Sequence, residues 1–188
     1  MGLIIGVTGT PGTGKKSVAP ILAAKLGLRC VSLDEIALSN GLLRTPKEEG
    51  EVDTQKLKNK LRSFEGPAVI YGHLLPHALG VGSASSVVIL RCEPSALKER
   101  LASRGYSARK ILDNVEAELI GLISSDSFEA FGPTRAFEVD TTASVPAEAA
   151  ASALKIIEGN RRPEPRIDWT SGYDTGAKLR SLLSTGDS

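Results

Sequence analysis

The stretch "GTPGTGKKSV", Gly9–Val18, sets three glycines and a lysine at the spacing of a phosphate-binding loop, Gly-x-x-x-x-Gly-Lys. Glycine at positions 9, 12 and 14 lets successive backbone N–H groups turn toward one anion, and Lys15 has the reach to neutralise the outer phosphates of a nucleotide. Gly12, Thr13, Gly14, Lys15, Lys16 and Ser17 are therefore the candidate phosphate-binding residues. Position 16 departs from the pattern. It ordinarily carries a hydroxyl that ligates Mg²⁺, whereas here it is Lys16, with Ser17 one place late. An ammonium cannot ligate a metal. Two readings stay open: the second lysine supports nucleotide binding while disfavouring a divalent ion, or Lys16 turns outward and Ser17 or water completes the metal shell.

Such a loop needs a buried strand before it and a helix after it. "LIIGVT" (Leu3–Thr8) is an apolar run that reads as a strand buried on both faces, and "SVAPILAAKLG" reads as a helix closed by Gly27. Pro20 lies beyond the first turn and predicts a local kink. Further strands are expected in "RCVSL" (Arg29–Leu33), "PAVIYGH" (Pro67–His73), "SVVILRC" (Ser86–Cys92) and "TRAFEVDTT". Helices fall between them: "DTQKLKNKLRSF" with Asp53 as N-cap, "EPSALKERLASRG", and "VPAEAAASALKIIEG". One longer helix is expected over "SARKILDNVEAELIGLIS", with Ile111, Val115, Leu119 and Leu122 on its apolar face. Five short strands alternating with helices predict an α/β fold: a five-stranded parallel sheet in three α/β/α layers, with ligands at the carboxyl ends of the strands.

The 188 residues suffice for one such domain over 1–160, followed by a tail, 161–188, that is partly docked through Trp169 and Tyr173 or mobile. A formal net charge of +1 and 4% aromatic residues give no general pull toward nucleic acid. No apolar stretch approaches membrane-spanning length and no secretory leader is evident, which predicts a cytoplasmic protein with no membrane partner. Cys30 and Cys92 lie far apart in apolar runs without metal-ligand spacing and read as free thiols.

"GTPGTGK", "RLASRGYS", "KILDNVEAEL" and "EVDTT", in that order, resemble the adenylate-kinase-6-like (CINAP-type) nucleoside monophosphate kinases of archaea and eukaryotes, which are P-loop NTPases. The similarity runs to about Gly159, and "IDW" in the tail resembles the endings of archaeal members. The resemblance implies ATP as donor, Mg²⁺ as its usual companion, and a nucleoside monophosphate, AMP first, as acceptor. It also implies an acceptor lobe at about 30–57, with Asp34 at its mouth as a substrate-binding residue, and a lid at about 104–113. Arg104 matches the family's ATP-contacting arginine, and Arg109 matches a second lid cation reaching the transferred phosphate. Lys15, Arg104, Arg109 and His73 are thus the catalytic candidates, and Ser17 the metal candidate. Arg100 reads either as part of this set or as an exposed helix face. Glu116 and Glu118 match a family motif, although Glu/Lys pairing on a helix surface explains them almost as well.

Members of that family carry an acidic residue two places before the histidine that ends the third strand. Here "VIYGH" has Tyr71 in that place and retains His73. A phenol with an ordinary pKa of about 10 is neutral at physiological pH and serves poorly as a metal ligand. Lys16 and Tyr71 thereby alter two places that should serve the same ion. That convergence predicts ATP binding with little help from Mg²⁺, and slow transfer. Two functions are implied. One is a kinase converting ATP and AMP to two ADP, with ATPase activity beside it. The other is a nucleotide-gated assembly factor for the small ribosomal subunit, contacting a small-subunit ribosomal protein; Arg161, Arg162 and Arg166 are either its local basic patch or, as such clusters more often are, a solvated linker.

Overall fold

The computed structural model describes residues 3–42, 53–80 and 82–184. Strands β1 (Ile4–Thr8), β2 (Arg29–Ser32), β3 (Ala68–Tyr71), β4 (Ser86–Arg91) and β5 (Ala136–Asp140) form one sheet in the order β2-β3-β1-β4-β5. Every adjacent pair is parallel. The expected five-stranded parallel sheet is the one found, and β1 stands at its centre with a neighbour on each side.

Alternation along the strands builds two cores. Ile4, Ile70, Val87 and Ile89 pack on one face with α2 (Leu33–Ser39), α3 (Thr54–Arg62), α4 (Leu75–Ala78) and α7 (Leu122–Phe131). Ile5, Val7, Val69, Val88 and Leu90 pack on the other with α1 (Lys15–Leu26) and α8 (Pro146–Ile157). Both faces are thus covered, as a parallel sheet requires. A third apolar cluster joins α5 (Pro94–Ala102) and α6 (Ala108–Leu119) to Leu182 of α9 (Gly176–Leu183) and to Trp169 and Tyr173. The tail therefore docks on the body through the two aromatic residues singled out from sequence, while residues 185–188 lie outside the described residues.

One local expectation is corrected. The long helix after Ser107 is two helices, because Gly121 at φ 66° breaks it, and Leu122 is 46% exposed instead of extending the apolar face. A short helix, α2, follows β2 directly. Helix α1 continues through Pro20, whose ring nitrogen leaves the carbonyl of Lys16 without its usual donor. Asp53 caps α3 as expected, accepting from Lys56 N at 2.9 Å. The acceptor lobe expected at about 30–57 lies partly outside the described residues, over 43–52. Among the described residues no helix is long and apolar enough to cross a membrane.

Candidate active site

The chain leaves β1 at Thr8 and turns at Gly9, with φ at 138°. A Cβ on Gly9 would lie 2.3 Å from Leu90 O of β4, so only glycine lets the loop rest against the sheet end. Gly14 caps α1 at φ 103°, and a Cβ there would meet nothing closer than Val18 at 4.0 Å. The demand at Gly14 is for backbone angle, and the space above it is open. No side chain caps α1 and no acid stands in its first turn. The N–H groups of Lys15 and Lys16 have no carbonyl one turn back and are available to an anion, whereas Ser17 N already donates to Gly14 O at 3.0 Å.

Lys15 folds over this loop and donates to Gly9 O at 2.6 Å and Thr10 O at 2.9 Å. Burial pulls its ammonium down from the ordinary 10.5 to about 7, with Lys16 and Arg104 pushing the same way against the attraction of Glu118 and Asp34. Asp34, in the first turn of α2, also acts on His73 just beyond β3. Burial, then the charge of Lys15, hold the His73 imidazole below its ordinary 6.5, so it is neutral at physiological pH. Lys15, Asp34 and His73 are thus one electrostatic group.

Across the loop lies a pocket of about 190 Å³, lined by Gly12, Thr13, Gly14, Ser17 and Arg104 together with Arg100, Thr141 and Ser144. Arg100 donates to Thr141 O at 2.6 Å and Thr142 O at 2.8 Å, which fixes the turn after β5 as one wall. A larger groove of about 790 Å³, between α5 and α9, shares no residue with the loop and is not this site. Arg109 is not brought to the set. Its side chain is 92% exposed, with Asp113 4.0 Å away on its own helix.

Whether the site fits a divalent ion depends on its donors. Lys16 is exposed and supplies no oxygen. Ser17 shares its pocket with Arg100 and Arg104, two cations that disfavour a third. Burial raises the Tyr71 phenol above its ordinary 10, the bond to Ser32 opposes this, and Glu35 reinforces it, so no phenolate is offered. Among the described residues no three of His, Cys, Asp and Glu converge. Lys16 thus offers no ligand, and Tyr71 no anionic one, to a divalent ion at this site.

Sequence reasoning missed a buried charge group behind the loop. Arg91 at the end of β4 is 2% exposed, Glu118 of α6 is 1% and Glu138 of β5 is 5%. Arg91 Nε donates to Glu118 Oε1 at 2.8 Å and its Nη1 to Glu138 Oε1 at 2.5 Å. Glu118 Oε2 in turn accepts from Thr10 Oγ1 of the phosphate loop at 2.5 Å. Reading Glu118 as a helix-surface residue is overturned, whereas Glu116 is exposed. A signal was present: Arg91 and Glu138 interrupt runs, "SVVIL" and "AFEV", that are otherwise buried strand.

A central parallel strand, a glycine-rich turn and a helix whose N-terminus faces open space define a P-loop kinase fold. The family described as "AAA domain" matches residues 5–121, and the chain belongs to it. A protein of Thermococcus onnurineus named "Putative adenylate kinase" is 37% identical over 187 residues, covering 98% of this chain and 99% of that one. A protein of the same name from Thermococcus gammatolerans is 40% identical over 174 residues, covering 92% and 96%. Among solved structures, the shikimate kinase of Acinetobacter baumannii superposes with TM-score 0.58 at 19% identity, covering 86% of this chain and 96% of that one, and so shares the fold.

One consequence is measurable in binding. A polyphosphate beside Lys15 raises its pKa again, so at pH 8 the mostly neutral amine takes up a proton as ATP binds. We expect uptake of close to one proton, and ATP affinity falling by about tenfold per pH unit between pH 8 and 9. Titration calorimetry in buffers of different ionisation enthalpy checks this. Zero uptake would mean that Lys15 does not meet the phosphates or that its free amine is already charged at pH 8.

Proposed function

We propose that the chain is an ATP-dependent nucleoside monophosphate kinase of the adenylate-kinase-6-like type, passing the γ-phosphate of ATP to AMP, with water as a lesser acceptor. The observation that carries this reading is the position of Lys15. It lies on the open loop, with Arg104 and the 190 Å³ pocket on one side and Asp34 and His73 on the other. That pocket is smaller than the ~300–1,000 Å³ of sites enclosing a whole drug-sized ligand. It accepts one end of a nucleotide while the phosphates run out along the loop amides. The names of the archaeal relatives support the same reading.

In this reading the transferring phosphoryl group, with charge spread over three oxygens, lies against Lys15 and the leading N–H groups of α1. Arg104 holds the donor from the lid turn. Neutral His73 offers one ring N–H to the acceptor side, and Asp34 orients the incoming monophosphate. Arg109 reaches the phosphates only after the first turn of α6 swings inward, a closure that also excludes water. Ser17 contacts the nucleotide and does not hold a metal.

The test is steady-state turnover with ATP and either AMP or water as acceptor, with Mg²⁺ and with a chelator. ADP formation that requires AMP is the expected result. ATP affinity is expected to change by less than about tenfold on adding Mg²⁺, a difference of under ~1.4 kcal/mol. A fast, strictly Mg²⁺-dependent rate would overturn the metal part of the reading, and AMP-independent hydrolysis alone would overturn the kinase part. The ribosomal alternative gains no support from the fold or the relatives.

A further inference from the structure

The buried carboxylate of Glu118 stands between the two ends of the chain. Its Oε2 accepts from Thr10 Oγ1 at 2.5 Å. Its Oε1 accepts from Arg91 Nε at 2.8 Å, Cys92 N at 3.0 Å and Trp169 Nε1 at 3.2 Å. Thr10 in turn presents its carbonyl to Lys15 Nζ at 2.9 Å. An indole N–H of the C-terminal segment is therefore joined, through one carboxylate and one threonine, to the lysine of the phosphate loop.

That segment is docked along its length. Ile167 N donates to Glu138 Oε2, and Ile167 O accepts from Arg91 Nη1 at 3.2 Å. Tyr173 OH donates to Glu93 Oε1. Lys98 Nζ closes the far end by donating to Leu182 O at 2.6 Å and Ser184 O at 2.8 Å, satisfying carbonyls at the C-terminus of α9. A well-packed apolar substitute for a buried ion pair is often as stable, so stability alone does not account for these charges. What an apolar group would not supply is an acceptor aimed at Thr10.

We propose that Glu118 is the positioning residue of the phosphate loop, and that the C-terminal segment, through Trp169, completes the socket that holds it. This rests on reading the loop as the ATP site. Glu118 touches no substrate. It fixes Thr10, which sets the reach of Lys15 and the curve of the loop amides. The tail is then a working part of the nucleotide site although Trp169 lies outside the pocket lining.

A double-mutant cycle in the full chain tests this, with ATP affinity read by titration calorimetry and folding by circular dichroism melts. Trp169→Phe removes the indole N–H and keeps an aromatic ring; Thr10→Val removes the hydroxyl and keeps the shape. We expect Trp169→Phe to weaken ATP binding by about fivefold, and Thr10→Val by at least as much. The double variant should be no weaker than Thr10→Val within about twofold, and Thr10→Ser should bind like the wild type. Unchanged affinity in Trp169→Phe, or effects that multiply in the double variant, would overturn the proposal. Should Thr10→Val fail to fold, Trp169→Phe alone decides by the same criterion. A wild type that binds ATP yet phosphorylates no monophosphate overturns the kinase reading and leaves this test intact. A wild type that does not bind ATP overturns both.

Discussion

Lys15→Met is expected to lower phosphoryl transfer by about 10²–10³-fold, the usual loss when one group preorganised toward developing charge is removed. The protein should remain folded, and at pH 6 it should melt no lower than the wild type. The sign comes from the lysine's own titration. Burial holds its folded-state pKa at about 7, below the ordinary 10.5. The folded chain therefore carries an unfavourable buried charge in full below pH 7, and that cost fades as pH rises from 7 toward 10.5. Methionine removes the cost and also the two bonds to Gly9 O and Thr10 O. Any gain in melting temperature should shrink between pH 6 and pH 10. Coupled ADP assays and melts at the two pH values check both halves. Retained activity would remove Lys15 from the chemistry. A gain that grows with pH would mean that its ammonium is stabilised in the fold instead of opposed by it.

Arg91→Met should produce the largest loss of stability. The guanidinium serves Glu118 Oε1, Glu118 O, Glu138 Oε1 and Ile167 O at once. Without it two buried carboxylates face each other's surroundings with no cation among them, a situation that costs about 3–5 kcal/mol. Urea unfolding reads the loss. The sole tryptophan, Trp169, reads its location, because release of the tail moves its emission to the red before the global transition. A loss under about 1 kcal/mol would show that the charges are solvated in ways this packing does not allow.

The strands and the loop were legible because their signals are local. Runs such as "LIIGVT" and "SVVILR" have one stable use, burial between two helical layers, and the Gly9, Gly12 and Gly14 spacing marks the turn that leaves the first of them. Trp169 and Tyr173 were legible as docking groups since aromatic side chains in a polar tail have little reason to stay in water. The split at Gly121 was not legible, because Ile120–Leu122 continues a helical pattern and a single glycine costs a helix only about 1 kcal/mol. Nor was the role of Glu118, whose partners Thr10, Arg91 and Trp169 are distant in sequence, so that helix-surface pairing competed on equal terms. Arg109 matched a lid cation by its neighbours in sequence, yet the fold leaves it in solvent beside Asp113. A position can carry the right residue for a step that only another conformation performs.

The bond between Thr10 and Glu118 spans 108 residues, and it bears on the time order of synthesis. At about 5–20 residues per second, the nascent chain holds a complete glycine-rich loop for roughly 5–20 s before Glu118 is even polymerised, and longer before Trp169 is added. Through that interval the loop has its glycines and its lysine but lacks the Glu118 acceptor that Thr10 meets in the folded chain. If Glu118 positions the loop as proposed, a fully set nucleotide site waits for the segment that carries Trp169.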